Sequence, residues 1–312
     1  MAVGPAPYDP ASVLGLAGDA DLLASALDEI GIHAIELAQT VAPGLHGRRR
    51  AGIGDTFWEY RHFAEGDHAR LIDWRRSARG EEGHYFVREK EFETAQTVWL
   101  WTDLTMSMGF RSELAETSKI DRALLLMLAL AQLLIAGGER VALPGPMLPT
   151  AHRRAPRLIA EYLAAGMGDA HTRFPPADLI TQGSSCVIFS DFLDPVDEMA
   201  PALEEIAEQG VTLHLVEIAD PAEELLPYSG RVEFRAAEGG APYLAGKAET
   251  LREDYAAALA AHREALAHQA NLAGASLLAH RTDHSPEAAL LALAARIAED
   301  ADLVDYTFGS AA

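Results

Sequence analysis

Residues 97–110 read TVWLWTDLTMSMGF, in which an apolar run is followed at once by side chains that carry oxygen. The run VWLW shows no polar alternation, which predicts a strand that is buried on both faces. Directly after it, Asp103, Thr105 and Ser107 place one carboxylate and two hydroxyls at alternate positions. Strands buried on both faces occur in parallel sheets covered by helices, so this stretch predicts an α/β fold with a polar loop after a central strand.

The chain downstream of this stretch alternates apolar strands with helical segments. Such alternation is typical of a doubly wound, mostly parallel sheet with helices on both faces. The predicted strands cover residues 97–102, 140–143, 185–190, 211–218 and 276–280, and a hairpin is predicted over 231–245. The predicted helices cover residues 118–135, 155–165, 195–209, 250–271 and 286–299. The first of these helices begins with SKID, which resembles a capping box.

The chain upstream of residue 93 has a different character. Residues 1–18 are rich in Gly, Pro and Ala, and the apolar spacing over 21–42 predicts a helix in which Gly31 is a break or a cap. Residues 45–92 contain many glycines and the short aromatic runs TFW and HYFV, which predict strands and tight turns. We therefore expect an N-terminal lead-in and helix over 1–44, a small β-rich module over 45–92 and the α/β domain over 93–304.

The charge of the chain restricts its possible partners. Its 312 residues carry a formal net charge of −22, and only the stretch 45–90 is slightly basic, with ten Lys or Arg side chains against eight Asp or Glu. An acidic body disfavours general binding to nucleic acids and to anionic membranes, because both are polyanions.

The cysteine content and the hydropathy pattern predict the compartment. The single cysteine, Cys186, excludes an internal disulfide and fits a reducing environment. The N-terminus does not have the charged and apolar regions of a signal peptide. The longest apolar run, 123–136, is shorter than the roughly 20 residues that a membrane span needs. We expect a soluble, cytoplasmic protein without membrane insertion.

Polar side chains follow two of the predicted strands at the edge where ligands bind in doubly wound sheets. Asp103, Thr105 and Ser107 follow the first strand, and Asp191 follows the strand 185–190. Thr172 lies in a loop between these strands and can add a further hydroxyl. Carboxylate and hydroxyl oxygens are hard ligands, which suit Mg²⁺ or Mn²⁺ better than Zn²⁺. The alternative is that the two hydroxyls after Asp103 only satisfy backbone groups in a turn.

Two functions are compatible with such a cluster. A metal held by few carboxylates keeps positive charge and an open position, so it can bind an acidic residue of a partner protein without catalysis. The alternative is a Mg²⁺-dependent phosphohydrolase of the haloacid-dehalogenase type, with Asp103 as the nucleophile and Asp191 and Asp194 as the metal-binding pair. That mechanism uses a second aspartate two positions after the nucleophile, where this chain has Thr105. The substitution favours the binding module.

Several other site types lack their sequence motifs. Neither HExxH nor a His and Cys pair with zinc spacing occurs, which argues against a zinc site. GxSxG, GxGxxG and GxxxxGK[ST] are also absent, which argues against a serine hydrolase, a bound dinucleotide and NTPase activity.

The segment DLTMS, with Thr172 and then Ser190-Asp191, resembles the metal-ion-dependent adhesion site (MIDAS) of von Willebrand factor type A domains. That family has the pattern DxSxS, a loop threonine and an aspartate after a later strand. The resemblance implies Asp103, Thr105, Ser107, Thr172 and Asp191 as ligands of Mg²⁺ or Mn²⁺, with Thr150 or Thr181 as alternatives for the loop threonine.

The segment from Gly52 to Glu93, running into DLTMSM, resembles the bacterial "domain of unknown function 58" family. The matched positions are Arg61, Phe63, Gly66, Asp67, Arg70, Ile72, Asp73, Trp74, Ala78, Arg79 and Glu91. The resemblance covers most of the chain from about residue 45. It implies a von Willebrand factor type A-like α/β domain and a metal-dependent adaptor that works with a MoxR-type AAA+ ATPase.

Overall fold

The computed structural model describes residues 12–13, 20–45, 57–62, 72, 74–77, 85–90, 95–166, 173–237, 239 and 241–309. The helices are α1 (Ala20–Leu45), α2 (Trp74–Ser77), α3 (Lys119–Ala136), α4 (Ala155–Gly166), α5 (Val196–Glu208), α6 (Pro221–Leu225), α7 (Arg252–Leu272) and α8 (Pro286–Gly309). The strands are β1 (Phe57–His62), β2 (Phe86–Lys90), β3 (Thr97–Thr102), β4 (Arg140–Leu143), β5 (Met147–Thr150), β6 (Ser185–Ser190), β7 (Thr212–Ala219), β8 (Val232–Phe234), β9 (Tyr243–Ala245) and β10 (Ser276–Arg281).

The chain forms two compact units. One comprises Met1–Gly47 with Gln96–Ala312, and the other comprises Arg48–Ala95. In the smaller unit β1 and β2 pair antiparallel, close to the two aromatic runs from which strands were predicted. Trp74 packs edge to face on Tyr85, with ring centroids 5.8 Å apart. The following residues of the predicted family signature lie outside the described residues: Phe63, Gly66, Asp67, Arg70, Asp73, Ala78, Arg79 and Glu91.

The larger unit is built on a six-stranded sheet in the order β10-β7-β6-β3-β4-β5. All neighbours pair parallel except β5, which pairs antiparallel with β4 at one edge. From β3 the chain first extends the sheet toward β5 and then returns to β6 and extends it the other way. The strand order therefore reverses between β3 and β6, and the predicted α/β fold with a doubly wound, mostly parallel sheet is confirmed.

Helices cover both faces of this sheet. Helices α1, α3, α4 and α8 bury apolar side chains against one face, where Val98 and Leu100 point. Helices α5 and α7 cover the other face, where Trp99 points. Side chains of β3 thus alternate between two apolar layers, which explains why its sequence is apolar at successive positions.

Three details differ from the sequence predictions. Helix α1 runs through Gly31, because burial of its apolar face against α3 and α4 outweighs the low helix propensity of one glycine. The proline-rich segment after β4 forms the edge strand β5, a position at which proline is tolerated. The five-residue helix α6 was not predicted. No helix among the described residues is both long enough and apolar enough to cross a lipid bilayer.

Candidate metal centre

The carboxylates of Asp103 and Asp191 follow neighbouring parallel strands. In the register of β3 and β6, Thr102 lies opposite Phe189, and the Asp103 amide donates to the Phe189 carbonyl at 2.8 Å. Asp103 and Asp191 therefore lie at the carboxyl edge of the sheet, where the strand order reverses. In open α/β sheets this is the position at which ligands bind.

The loop after β3 gathers the side-chain oxygens. The Thr105 amide donates to Asp103 Oδ1 at 2.8 Å, which closes a turn and leads into a short 3₁₀ helix over Met106–Gly109. Thr105 Oγ1 and Ser107 Oγ lie 3.1 Å apart. The Ser107 hydroxyl lies close enough to the Asp191 carboxylate to help lower its pKa. Asp103, Thr105 and Ser107 are thus joined by hydrogen bonds, and Asp191 lies beside them.

Asp103 is fully buried and is surrounded by neutral donors. The Ser190 hydroxyl donates to Asp103 Oδ2 at 2.7 Å, while Oδ1 accepts from the Thr105 amide. Burial raises the pKa of Asp103, and the negative charge of Asp191 adds to this effect, whereas the hydrogen bonds from Thr105 and Ser190 oppose it. Among the residues that the structure describes, no cation forms an ion pair with Asp103.

Sequence reasoning missed the cation beside Asp191. Lys119 is fully buried, and its Nζ lies 2.7 Å from Asp191 Oδ2 and 2.5 Å from Glu223 Oε1. The lysine is the first residue of α3, directly after the N-cap Ser118. A cation at a helix N-terminus is unfavourable because it faces the positive end of the helix dipole. A lysine at this position therefore indicates a specific acidic partner, and this is the signal that the sequence offered.

Glu223 reaches Lys119 from helix α6. The N-cap of this helix is Asp220, whose Oδ1 accepts from the Ala222 amide at 2.8 Å, while Glu223 Oε2 accepts from the Asp220 amide at 2.9 Å. Asp220 Oδ2 also accepts from the Ser112 amide at 2.9 Å. The capping box therefore fixes Glu223 and ties α6 to the loop that follows the oxygen cluster.

The pKa values of Lys119 and of its two carboxylate partners are shifted in different ways. Burial disfavours the charged ammonium, but the carboxylates of Asp191 and Glu223 outweigh this and raise the pKa of Lys119. Burial alone would raise the pKa of Asp191, yet Lys119 outweighs it and the pKa is lowered. The pKa of Glu223 remains raised by burial, although Lys119 opposes the shift. Asp191 is thus the better compensated of the two carboxylates.

The backbone beside Asp191 is unusual. Phe192 has φ 47°, in the left-handed region that residues other than glycine rarely adopt, and its ring is buried. Its carbonyl accepts from His262 Nε2 at 2.7 Å, and its ring lies 6.3 Å from that of Phe174. Strained residues of this kind concentrate at functional sites.

A cavity of about 370 Å³ opens beside Ser107, Lys119 and Asp191. Its walls are largely apolar and aromatic, and they include Phe110, Leu193, Leu226, Tyr228, Phe234 and Tyr255. The cavity is therefore large enough for side chains of a partner, and its floor carries the polar groups described above.

The remaining predicted residues lie elsewhere. Thr172 lies outside the described residues. Thr150 pairs with Val141 near the amino end of β4, away from the oxygen cluster. The Thr181 hydroxyl accepts from Trp99 Nε1 at 3.3 Å, and its carbonyl accepts from Ser184, just before the start of β6. The two alternative threonines thus lie beside the amino ends of β4 and β6, opposite the edge that carries Asp103.

The side chains that lie together at this edge of the sheet are oxygen donors. Across the part of the chain that the structure describes, no group of three or more His, Cys, Asp or Glu side chains has a metal-binding arrangement. The group that does lie together combines two carboxylates with the hydroxyls of Thr105 and Ser107. Mg²⁺ in proteins commonly uses one or two carboxylates and keeps several waters, so the donor set fits this ion.

A model of one family matches this chain. The family is described as "Protein of unknown function DUF58", and the match covers residues 59–157 and 177–265. The uncharacterized protein Rv1480 of Mycobacterium tuberculosis is 30% identical over 299 residues, which covers 89% of this chain and 91% of that protein.

Two solved structures are more distantly similar. BatB from Bacteroides thetaiotaomicron, a conserved hypothetical protein, gives a TM-score of 0.42 at 15% identity and covers 67% of this chain and 100% of its own. The VWA domain of SpRpn10 gives a TM-score of 0.32 at 8% identity and covers 64% of this chain and 94% of its own.

Proposed function

The chain belongs to the DUF58 family of proteins of unknown function, and we propose that it is a non-enzymatic module that binds a partner protein through a divalent cation. In this proposal Asp103, Thr105, Ser107 and Asp191 hold Mg²⁺ or Mn²⁺, directly or through water. Thr172 is the proposed fifth ligand. The supporting observation is that two carboxylates follow neighbouring parallel strands at the reversal of the strand order, near enough for the charge of Asp191 to raise the pKa of Asp103.

The charges of the site favour capture of an acidic partner residue. Lys119 and Glu223 carry opposite charges, so the charge that a cation has to balance is that of Asp103 and Asp191. A bound Mg²⁺ supplies a coordination position that accepts a carboxylate oxygen from outside the chain. The chain itself holds the oxygens in place: the Thr105 amide orients Asp103, and the Leu193 amide and the Lys119 ammonium orient Asp191.

We propose a MoxR-type AAA+ ATPase, or a client of one, as the partner. This identification rests on the resemblance of the family signature, and the site adds a chemical requirement for an accessible Asp or Glu on the partner. The cavity beside Ser107 has room for a neighbouring apolar side chain of the same partner segment.

The arrangement favours binding over phosphoryl transfer. Both carboxylate oxygens of Asp103 accept hydrogen bonds, and the residue is fully buried, which makes it a poor nucleophile. The hydroxyl of Thr105 has no carboxylic acid function with which to protonate a leaving group. Turnover of a generic phosphate ester that disappears in Asp103→Asn would reverse this choice.

The test is a titration of Mg²⁺ or Mn²⁺ against thermal stability. A ligand that binds only the folded protein at 100 times its Kd stabilises it by about 2.7 kcal/mol. Asp103→Asn should lose this stabilisation while it keeps both hydrogen bonds, because the amide oxygen accepts from the Thr105 amide and the amide nitrogen donates to the Ser190 hydroxyl. The matched control is Asp194→Asn, since Asp194 lines the same cavity but pairs with Arg173.

The proposal makes opposite predictions for the two variants. Wild type and Asp194→Asn should both be stabilised by the cation, and Asp103→Asn should not. The absence of stabilisation in wild type, or equal stabilisation in Asp103→Asn, would refute the metal-dependent function.

A further inference from the structure

Lys119 presents a fixed positive charge to one of the proposed metal ligands. Its Nζ donates to Asp191 Oδ2 and to Glu223 Oε1, and the side chain is only 1% exposed. The ammonium also lies 5.9 Å from the centre of the Phe110 ring. The ammonium is buried and paired with two carboxylates, so this charge is a fixed part of the site.

The ammonium and a divalent cation interact with the same carboxylate. Asp191 already accepts from the Leu193 amide at Oδ1 and from Lys119 at Oδ2. A second cation on Asp191 would lie within a few ångströms of Nζ, where like charges repel strongly because the surroundings are poorly hydrated. We propose that Lys119 is a tethered cation that weakens divalent-cation binding at Asp191 and thereby sets its affinity. This inference rests on the proposed function.

Glu223 lets the lysine keep a partner when Asp191 binds a metal. Its Oε2 is fixed by the Asp220 amide, while its Oε1 already lies 2.5 Å from Nζ. Transfer of the ammonium toward Glu223 therefore needs no new hydrogen bond. In this arrangement Asp191 binds either the Lys119 ammonium or the divalent cation. When the ammonium leaves Asp191, Glu223 remains its ion-pair partner.

A purely structural role for the lysine predicts a different result. If Lys119 only held α3, β6 and α6 together, the loss of either Lys119 or Glu223 would disorder the site, and both changes would weaken cation binding. Competition predicts opposite signs. Removal of Lys119 frees Asp191 and strengthens binding, whereas removal of the Glu223 charge leaves the ammonium dependent on Asp191 and weakens it.

The experiment compares Mn²⁺ affinity in wild type, Lys119→Met and Glu223→Gln of the full chain, by calorimetry and by the electron paramagnetic resonance signal of free Mn²⁺. Methionine fills a similar volume without the charge. We expect Lys119→Met to bind on the order of tenfold tighter or more, and Glu223→Gln to bind more weakly than wild type. Weaker or unchanged binding in Lys119→Met would overturn the inference.

A double variant covers the case in which Lys119→Met does not fold, because that change leaves two buried carboxylates without a cation. The variant Lys119→Met with Glu223→Gln removes one charge of each sign and differs from Glu223→Gln only at residue 119. It should bind Mn²⁺ more tightly than Glu223→Gln, and equal or weaker binding would contradict competition.

The outcomes separate this inference from the proposed function. If wild type binds Mn²⁺ but the variants without Lys119 bind no more tightly, the metal function stands and the role of Lys119 is refuted. If wild type does not bind while Lys119→Met does, the competition is supported and the metal-dependent function of the natural chain is refuted. Binding in none of the proteins would refute both.

Discussion

Asp220 is predicted to be more important for stability than its distance from the oxygen cluster suggests. The residue is fully buried, and each of its carboxylate oxygens accepts from a different backbone amide. Oδ1 accepts from Ala222 at the start of α6, and Oδ2 accepts from Ser112 in the loop after the 3₁₀ helix. Asp220→Ala removes both acceptors, and Asp220→Asn removes one, because its amide nitrogen cannot accept a hydrogen bond.

The size of the effect follows from these two amides. A buried donor that loses its partner costs about 1–3 kcal/mol. Asp220→Ala should therefore lower the free energy of unfolding by about 3–5 kcal/mol, and Asp220→Asn by about half of that. Since stability totals only about 5–15 kcal/mol, the alanine variant should be close to the limit of folding at physiological temperature.

Chemical denaturation followed by far-UV circular dichroism measures these differences. Asp283→Asn is the matched control, because Asp283 is paired with Arg281 near the surface, and its loss should cost less than about 1 kcal/mol. The expected order of decreasing stability is wild type, then Asp220→Asn, then Asp220→Ala. Equal stability of Asp220→Asn and wild type would show that the second amide does not need the carboxylate, and the two-acceptor argument would be wrong.

Three further predictions concern single buried groups. Burial and then the charge of Arg122 lower the pKa of His280 to about 4, whereas the unfolded residue binds a proton near 6.5. The free energy of unfolding should therefore fall by up to about 1.4 kcal/mol per pH unit as the pH drops from 6.5 to 4. A measurement of stability against pH should show a smaller slope for His280→Gln. Cys186 is fully buried, and burial raises the pKa of its thiol, so a thiol reagent should label it only after unfolding; full labelling of native protein would contradict this. Phe192→Ala should cost about 3–5 kcal/mol, and Phe192→Gly should be the more stable of the two, by about 1 kcal/mol, because glycine tolerates the positive φ; denaturation curves that place alanine above glycine would argue against backbone strain.

The sheet was predictable because β3 and β6 are apolar at successive positions, which is typical of a sheet covered on both faces, and because strands alternate with helices downstream. The juxtaposition of Asp103 and Asp191 was predictable for a related reason. Carboxyl ends of neighbouring parallel strands meet at one edge, so the sequence alone could place the two residues together. The edge strand β5 was missed because proline disfavours strands in general but is tolerated at an edge.

Lys119 and Glu223 could not be placed from the sequence. The contacts of Lys119 with Asp191 and Glu223 span 72 and 104 positions along the chain, and they depend on how α3 and α6 pack at the end of the sheet. The lysine also lies inside a pattern that resembles an ordinary capping box, which gives it a local explanation. Helix α6 is five residues long, too short to produce a periodic signal, although its Asp-Pro start is a typical helix beginning.

The negative charges of the two carboxylates are compensated to different degrees, and this difference allows cation binding to be tested separately from folding. Asp191 is paired with an ammonium, whereas the bonds to Asp103 from the described part of the chain come from a neutral hydroxyl and an amide. The charge that an added cation would stabilise most is therefore that of Asp103. Because Asn retains the two hydrogen bonds there, Asp103→Asn can separate cation binding from folding, while changes at Lys119 or Asp220 affect both. A loss of metal-free stability in Asp103→Asn as large as that in Asp220→Asn would show that the Asp103 carboxylate has a structural role instead.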